Sequence, residues 1–303
     1  MLCHESDKEI MIPKIIHFCW FGGNPLPPLA LECIASWRKY LPDYEIWQWS
    51  ETSSGPSQGG EGCVDRVMLF DVDSIPYTAE AYRQKKYAFV SDYARFAIIY
   101  KYGGIYFDTD VQVIKPLDDI IARGNFMGFE QDPDGENTPG KYAPRYAFAV
   151  NPGIGFGMEK EDAFMKKMME HYHGLTFQPI PTGDIAWYKT IVAYTTELLM
   201  EEEPPLNPPK GENFRMFGWF KQPPYKEIQV VGDGIYVYPS EYFAPINAIS
   251  RRLHVTENTR TIHRYMASWD EQKGKTWKDY VKHYIPEWVY FLNNRIKRRK
   301  YKV

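Results

Sequence analysis

No stretch of the chain holds about 18 consecutive apolar residues, so no membrane-spanning helix is expected. Cysteine is sparse and unpatterned. Cys3, Cys19, Cys33 and Cys63 include no C-x-x-C pair, and Cys19 sits in an apolar run as a buried thiol rather than a ligand. Such usage fits a reducing cytoplasm. Neither sign of charge prevails, with Lys+Arg 36 against Asp+Glu 39 and a formal charge of -3. That balance argues against nucleic acid as a partner. The first ten residues, MLCHESDKEI, are polar and do not read as a secretion signal, which makes cytoplasmic the expected location. There is no Gly/Ser linker, no internal repeat and no break in composition to divide the chain.

What is present is enough apolar residue for a full core, 44% of 303 residues. Aromatic content is high at 16%, with 23 Tyr and 9 Trp. Aromatic faces stack on sugar rings and nucleobases, but they also fill cores, and composition does not choose between these. KIIHFCW, residues 14–20, reads as a buried strand closed by Phe21-Gly22-Gly23. Pro27 and Pro28 open a helix through Leu31, Ile34, Trp37 and Leu41, and Tyr44–Trp49 reads as a second strand. Helices are expected over 76–86, 87–102, 160–171, 185–202 and 276–298. Strands are expected over 105–107, 111–114, 126–130, 146–150, 228–231, 235–238 and 261–265. Strands alternating with helices predict an α/β layered fold. Residues 50–62 and 203–224 read as loops, the second long enough to serve as a lid.

The sharpest chemical signal is YGGIYFDTD, residues 102–110. Asp108 and Asp110, two apart at the end of an apolar strand, would point into the crevice that open α/β sheets leave at their C-terminal edge. Hard carboxylate oxygens suit Mg²⁺ or Mn²⁺, which typically takes one or two of them together with substrate phosphates. A solvated turn is the alternative for any lone D-x-D. Asp71-Val72-Asp73 is such a case, followed by Ser74-Ile75-Pro76 and preceded by no double glycine, and it reads as a turn or cap. Before the second triplet, Asp92 and Arg95 are the only charges between Ala88 and Tyr100. Three apart, they share a helix face and either satisfy each other or hold a donor phosphate and sugar. Asn151-Pro152-Gly153 is a turn signal in its own right.

IPKIIHFCWFGG (12–23), AFVSDYARFAIIYKYGGIYFDTDV (88–111), NPGIGF (151–156) and IHRYMASW (262–269) together resemble the family 32 glycosyltransferases. These are capsular-polysaccharide and α-mannosyl transferases with a DXD sugar-binding region. The resemblance implies a Rossmann-like GT-A fold with a mixed central sheet, a Mn²⁺ or Mg²⁺ requirement, and retention of anomeric configuration. It makes 11–270 the transferase domain and 271–303 a helical extension with a basic tail. By the same resemblance Trp20 stacks on the nucleobase, Asp92 and Arg95 hold the donor sugar, and Tyr106 flanks the site. Asp108 reaches ribose and metal-bound water, Asp110 binds metal, and His263 reaches metal or diphosphate. Asn151 lies near the donor sugar, and Ser268 with Trp269 closes over the leaving diphosphate. Asp108, Asp110 and Arg95 are the candidate catalytic residues; Asp108, Asp110 and His263 are the candidate metal ligands. The chain departs from the family pattern at His263-Arg264, where relatives pair histidines, and at Pro181-Thr182-Gly183-Asp184, which leaves Asp184 as an acceptor contact or a helix cap.

The function so implied is transfer of a hexose from a nucleotide sugar, UDP-sugar ahead of GDP-mannose. The acceptor is a saccharide or lipid-linked saccharide, in surface polysaccharide synthesis. The alternative is a catalytically inactive sugar- or nucleotide-sugar-binding protein on the same fold. WVYFLNNRIKRRKY, residues 288–301, mixes aromatics with a basic cluster. Such a helix suits peripheral contact with an anionic membrane face as well as it suits a solvated helix end.

Overall fold

The computed structural model describes residues 11–51, 62–130, 150–177, 191–201, 215–216, 227–246 and 252–266. Expectations for 146–149, 276–298 and the basic tail therefore lie outside the described residues, as do Asp184, Ser268 and Trp269.

Buried strand β1, Ile15–Cys19, pairs in parallel with β2, Glu45–Glu51, and with β4, Gly104–Tyr106. β2 pairs in parallel with β3, Arg66–Phe70. Beyond β4 the sheet turns mixed. β7, Phe156–Met158, runs antiparallel to β4 and to β6, Phe126–Gly128. β10, Ile235–Tyr238, is parallel to β6 and antiparallel to β9, Gln229–Val231, which pairs with β8, Arg215–Met216. The order is β3-β2-β1-β4-β7-β6-β10-β9-β8. A separate antiparallel pair joins β5, Val111–Val113, to β11, Thr261–His263.

Helices cover both faces, as an α/β fold with a mixed central sheet requires. One core packs α2, Pro76–Arg83, and α3, Tyr87–Tyr102, with α5, Ala163–His173, and α6, Ile191–Met200. The other packs α1, Pro28–Tyr40, with β5 and α7, Ser240–Phe243. The short α4, Asp118–Ile121, adds Ile120 to it. α1 and α2 each begin on proline, which needs no partner for its missing N–H.

Three strands, β3, β7 and β8, were not expected from the sequence. β3 lies at one end of the sheet order and leaves Val67 and Leu69 exposed, so it has no alternation to betray it. β7 is three residues with Gly157 at its centre, too short and too glycine-rich for a pattern. The expected strand at 126–130 ends at Gly128, with Phe129 continuing as a bridge to Val150. Within the expected loop 203–224, residues 215–216 are strand.

The double glycine works as its position suggests. Gly103 caps α3 at φ 63°, its N–H reaching Ile99 O at 2.7 Å, and Gly104 follows at φ 104°. A Cβ on Gly104 would run into the carbonyl of Ile15 on β1. Helix and strand thus meet without a loop, which sets the distance from α3 to the aspartates.

His17 on β1 locks this junction. Trp49 Nε1, which can only donate, gives its hydrogen to His17 Nδ1 at 3.1 Å. Nε2 therefore carries the ring proton and donates to Gly103 O at 2.9 Å. Burial holds the imidazole neutral, its pKa lowered to about 4 even though the Gly103 bond pulls the other way. The unfolded chain takes up a proton near pH 6.5 that the fold refuses. Stability should therefore fall as pH drops from about 6.5 to 4, by about 3 kcal/mol from this group. Denaturant unfolding of wild type against His17→Gln across that range should show the extra slope only in wild type; parallel curves would refute it.

Candidate active site

Helix α3 places two charges inside the protein, and the triplet places two more beside them. Arg95 is 3% exposed. Its Nη2 meets Asp92 Oδ1 at 3.2 Å, one turn back on the same helix face. Its Nη1 meets Asp108 Oδ1 at 3.3 Å, and its Nε donates to Ser91 O at 3.0 Å. Tyr106 lies under the guanidinium, the cation 4.7 Å from the ring centroid. At 1% exposure Tyr106 supports Arg95 from below rather than presenting a face to a ligand.

Asp108 leaves the end of β4 with its amide bonded to Gly153 O at 3.1 Å, and a third of its side chain is exposed. Asp110 lies deeper. Its Oδ1 faces His263 Nε2 at 3.2 Å and its Oδ2 accepts the Met266 N–H at 2.8 Å. The Arg264 N–H closes the same strap on the Asp110 carbonyl at 2.9 Å. β11 thus ties a segment some 150 residues away onto the triplet.

The charge states follow from burial and neighbours. Burial lifts Asp92 to about 7, against the pull of Arg95 and with a further push from Asp108. Burial also raises Asp108, again opposed by Arg95 and reinforced by the nearby charge of Asp110. For Asp110 burial acts upward too, but His263 and the Met266 N–H outweigh it and hold the carboxyl below its ordinary value. His263 is held above its ordinary value, because Asp110 outweighs the burial that would discharge it.

Two clusters result: Asp92–Arg95–Asp108 and Asp110–His263. Three carboxylates there face one permanent cation and one histidine, a donor set of hard oxygens that suits a divalent cation. Among the described residues no group of three or more His, Cys, Asp and Glu is arranged to hold a metal ion. A cation would therefore need ligand oxygens from a bound diphosphate as well as from Asp108 and Asp110. His263 spends Nε2 on Asp110, so in this arrangement it positions that carboxylate. Its Nδ1 is buried and without a hydrogen-bond partner among the described residues.

Asn151 turns its Oδ1 to the Gly153 N–H at 2.6 Å and holds the NPG turn against Asp108. A Cβ on Gly153 would strike Asp108 Oδ2 and crowd Asn151 Oδ1. The reading of the sequence passed over Gly153, although it stood inside the NPGIGF block. Gly153→Ala should leave the melting temperature within a few degrees yet cut activity about 100-fold, the scale for a group displaced by about 1 Å. Unchanged turnover would show that the Asp108 rotamer is irrelevant.

Trp20 is part-exposed at the end of β1, its Nε1 donating to Asn24 O at 2.7 Å and its amide to Trp49 O at 2.8 Å. It is thus not a plain core residue. The other D-x-D is a turn: Asp71 Oδ1 accepts the Asp73 N–H at 3.0 Å, and its carbonyl accepts the Ser74 N–H at 3.2 Å.

Residues 27–127 match the family model described as the glycosyltransferase sugar-binding region containing DXD motif, a span that holds the buried triplet. Inositol phosphoceramide mannosyltransferase 3 of Schizosaccharomyces pombe is 30% identical over 160 residues, 48% of this chain and 41% of that protein. Initiation-specific alpha-1,6-mannosyltransferase of Candida albicans is 22% identical over 301 residues, 88% of this chain and 74% of that one. The chain spans 36% and 41% of the length of the two inositol phosphoceramide mannosyltransferases it matches. Among solved structures, the PaToxG glycosyltransferase is 21% identical over 52% of this chain and 59% of its own, with a TM-score of 0.38. With a DXD-region family model matching residues 27–127 and named mannosyltransferases matching parts of the chain, the chain resembles the glycosyltransferases of the family 32 type.

Proposed function

We propose that the chain transfers a hexose from a nucleoside-diphosphate sugar to a saccharide or lipid-linked saccharide, with a divalent cation and with retention of configuration, on a GT-A fold. The observation that carries this is the buried Asp92–Arg95–Asp108 network beside Asp110–His263, at the C-terminal end of β4. A structural ion pair has no need of a second and a third carboxylate so close by. An anionic leaving group with its counter-ion does.

Asp108, the one part-exposed carboxylate of the group, and Asp110 would hold the cation, which when bound neutralises the diphosphate. Arg95 fixes the orientation of Asp108 and of Asp92, whose carboxyl would accept sugar hydroxyls. His263, whose proton affinity Asp110 raises, would add positive charge on the diphosphate side when protonated. The bond from the anomeric carbon to the diphosphate oxygen breaks, and the acceptor oxygen bonds to that carbon on the same face. The acceptor's proton passes to the departing phosphate. Three of the relatives are named as mannosyltransferases, so mannose is the first hexose to try here. Surface polysaccharide remains the proposed product, and a lipid-borne acceptor accords with the inositol phosphoceramide relatives. Among the described residues no helix is long and apolar enough to cross a membrane.

The test is hydrolysis and transfer across a panel of nucleotide sugars with Mn²⁺, with and without chelator, reading the anomer of the product. One donor turned over, lost on chelation, with a retained product is the expected result. An inverted product, or a trapped covalent glycosyl-enzyme, would overturn the mechanism. Absence of turnover with tight sugar binding would turn the reading to a binding protein.

A further inference from the structure

The C-terminal end of β2 holds two buried polar side chains with atoms that are unpaired among the described residues. Glu51 is 1% exposed. Its Oε1 accepts the Gly22 N–H at 3.0 Å and the Tyr82 hydroxyl at 3.2 Å. Its Oε2 has no hydrogen-bond partner among the described residues. One residue earlier, Ser50 is equally buried and its Oγ is unpaired as well. Native proteins rarely leave such atoms unmet, and a carboxylate oxygen least of all. These two residues are not part of the aspartate network, yet they leave the same edge of the sheet.

The position gives the orphan a meaning. β2, β1 and β4 run parallel, so Glu51, the Trp20-Phe21-Gly22 turn and Asp108 emerge side by side. The chain goes one way from β1 to β2 and β3, and the other way to β4. That reversal is where open α/β sheets bind nucleotides. Two strand spacings, about 10 Å, separate the ends of β2 and β4. That is the order of the reach of a nucleoside whose diphosphate lies at Asp108. Part-exposed aromatics stand around Gly22: Trp20, and the rings of Tyr82 and Tyr87, 5.5 Å apart.

We infer that Glu51 selects the nucleobase of the donor, and that the base it selects is guanine. This rests on the nucleotide-sugar reading above. A carboxylate accepts hydrogen bonds and cannot donate them. Two donors already occupy Oε1, so Oε2 is the atom left to meet a ligand. Guanine presents N1–H and the N2 amino group side by side, two donors for one oxygen. Uracil presents a single N–H between two carbonyls, which the carboxylate repels. Adenine and cytosine each set one amino group beside a ring nitrogen that is itself an acceptor. Only guanine offers the orphan two bonds and no opposing lone pair. This runs against the uridine preference expected from the family resemblance. Because Oε2 is shut off from solvent, entry of a base must move a neighbour. Tyr87, part-exposed and packed where a Cβ on Gly22 would sit, is the neighbour that would have to turn.

Calorimetric titration of the full chain with GDP and with UDP, both with Mn²⁺, tests this directly. Wild type should bind GDP about 10- to 100-fold more tightly than UDP, the scale of a well-made contact to a base edge. In Glu51→Gln that ratio should shrink by about tenfold, because the amide can turn a donor toward guanine's donors. Equal binding of the two nucleotides by wild type overturns the assignment while leaving the donor reading intact. So does a ratio that Glu51→Gln leaves unchanged. Binding of neither nucleotide overturns the donor reading and this inference with it. Should Glu51→Gln not fold, the wild-type ratio decides alone.

Discussion

Asp110→Ala is expected to abolish metal-dependent donor turnover, by about 1000-fold or more. Loss of one preorganised electrostatic contact typically costs about 100- to 1000-fold, and this carboxylate has more than one task. It is the most acidic carboxyl of the site, held below its usual range by His263 and the Met266 N–H. On the proposed reading its removal takes a cation ligand, and it also leaves His263 buried without the carboxylate that raises its proton affinity. The strap to β11 survives in part, since the Arg264 N–H bonds to the Asp110 carbonyl. Asp110→Asn separates the roles. It keeps an oxygen for the Met266 N–H but no charge for a cation, so it should fold like wild type and fail like Asp110→Ala. Donor hydrolysis with Mn²⁺, alongside a melting curve, reads both. Activity within tenfold of wild type in either variant would remove Asp110 from the mechanism.

The second large effect is on stability. Arg95→Met conserves bulk but leaves Asp92 and Asp108 without their shared cation. Breaking a buried pair from one side costs about 3–5 kcal/mol. Adding Asp92→Asn should restore part of that loss, because it removes one of the stranded carboxylates, and a double-mutant cycle measures the coupling. Arg95→Lys should rescue poorly, since a point charge cannot bridge two carboxylates and also lie flat on Tyr106. Denaturant unfolding checks all three. A loss under about 1 kcal/mol in Arg95→Met would mean that the carboxyls discharge and the network holds nothing. The value of about 7 for Asp92 gives that outcome a concrete form: protonation of Asp92 in the variant.

Some of this site was legible because its geometry is local. Asp92 and Arg95 share a face because they are three apart in a helix, and YGG ends that helix and starts the strand with no residue to spare. Asp108 and Asp110 follow at once. The turn at Asp71–Ser74 was equally local, and it was set apart from the second triplet by its neighbours alone. β3 and β7 were not legible. One lies at the end of the sheet order with exposed apolar side chains, and the other has only three residues.

The α/β class, the helix-to-strand junction at Gly103-Gly104 and the pairing of charges on α3 were all legible in the chain, because periodicities and backbone freedoms that act within a few residues set them. Tertiary structure alone decided that the triplet's two aspartates part company, Asp108 to Arg95 and Asp110 to His263. It also decided that Gly153 must lack a side chain, and that Glu51 ends up buried with one oxygen unmet among the described residues. Each of those depends on a contact between segments far apart in the chain, where burial rather than residue type settles which charge is paid back and by what.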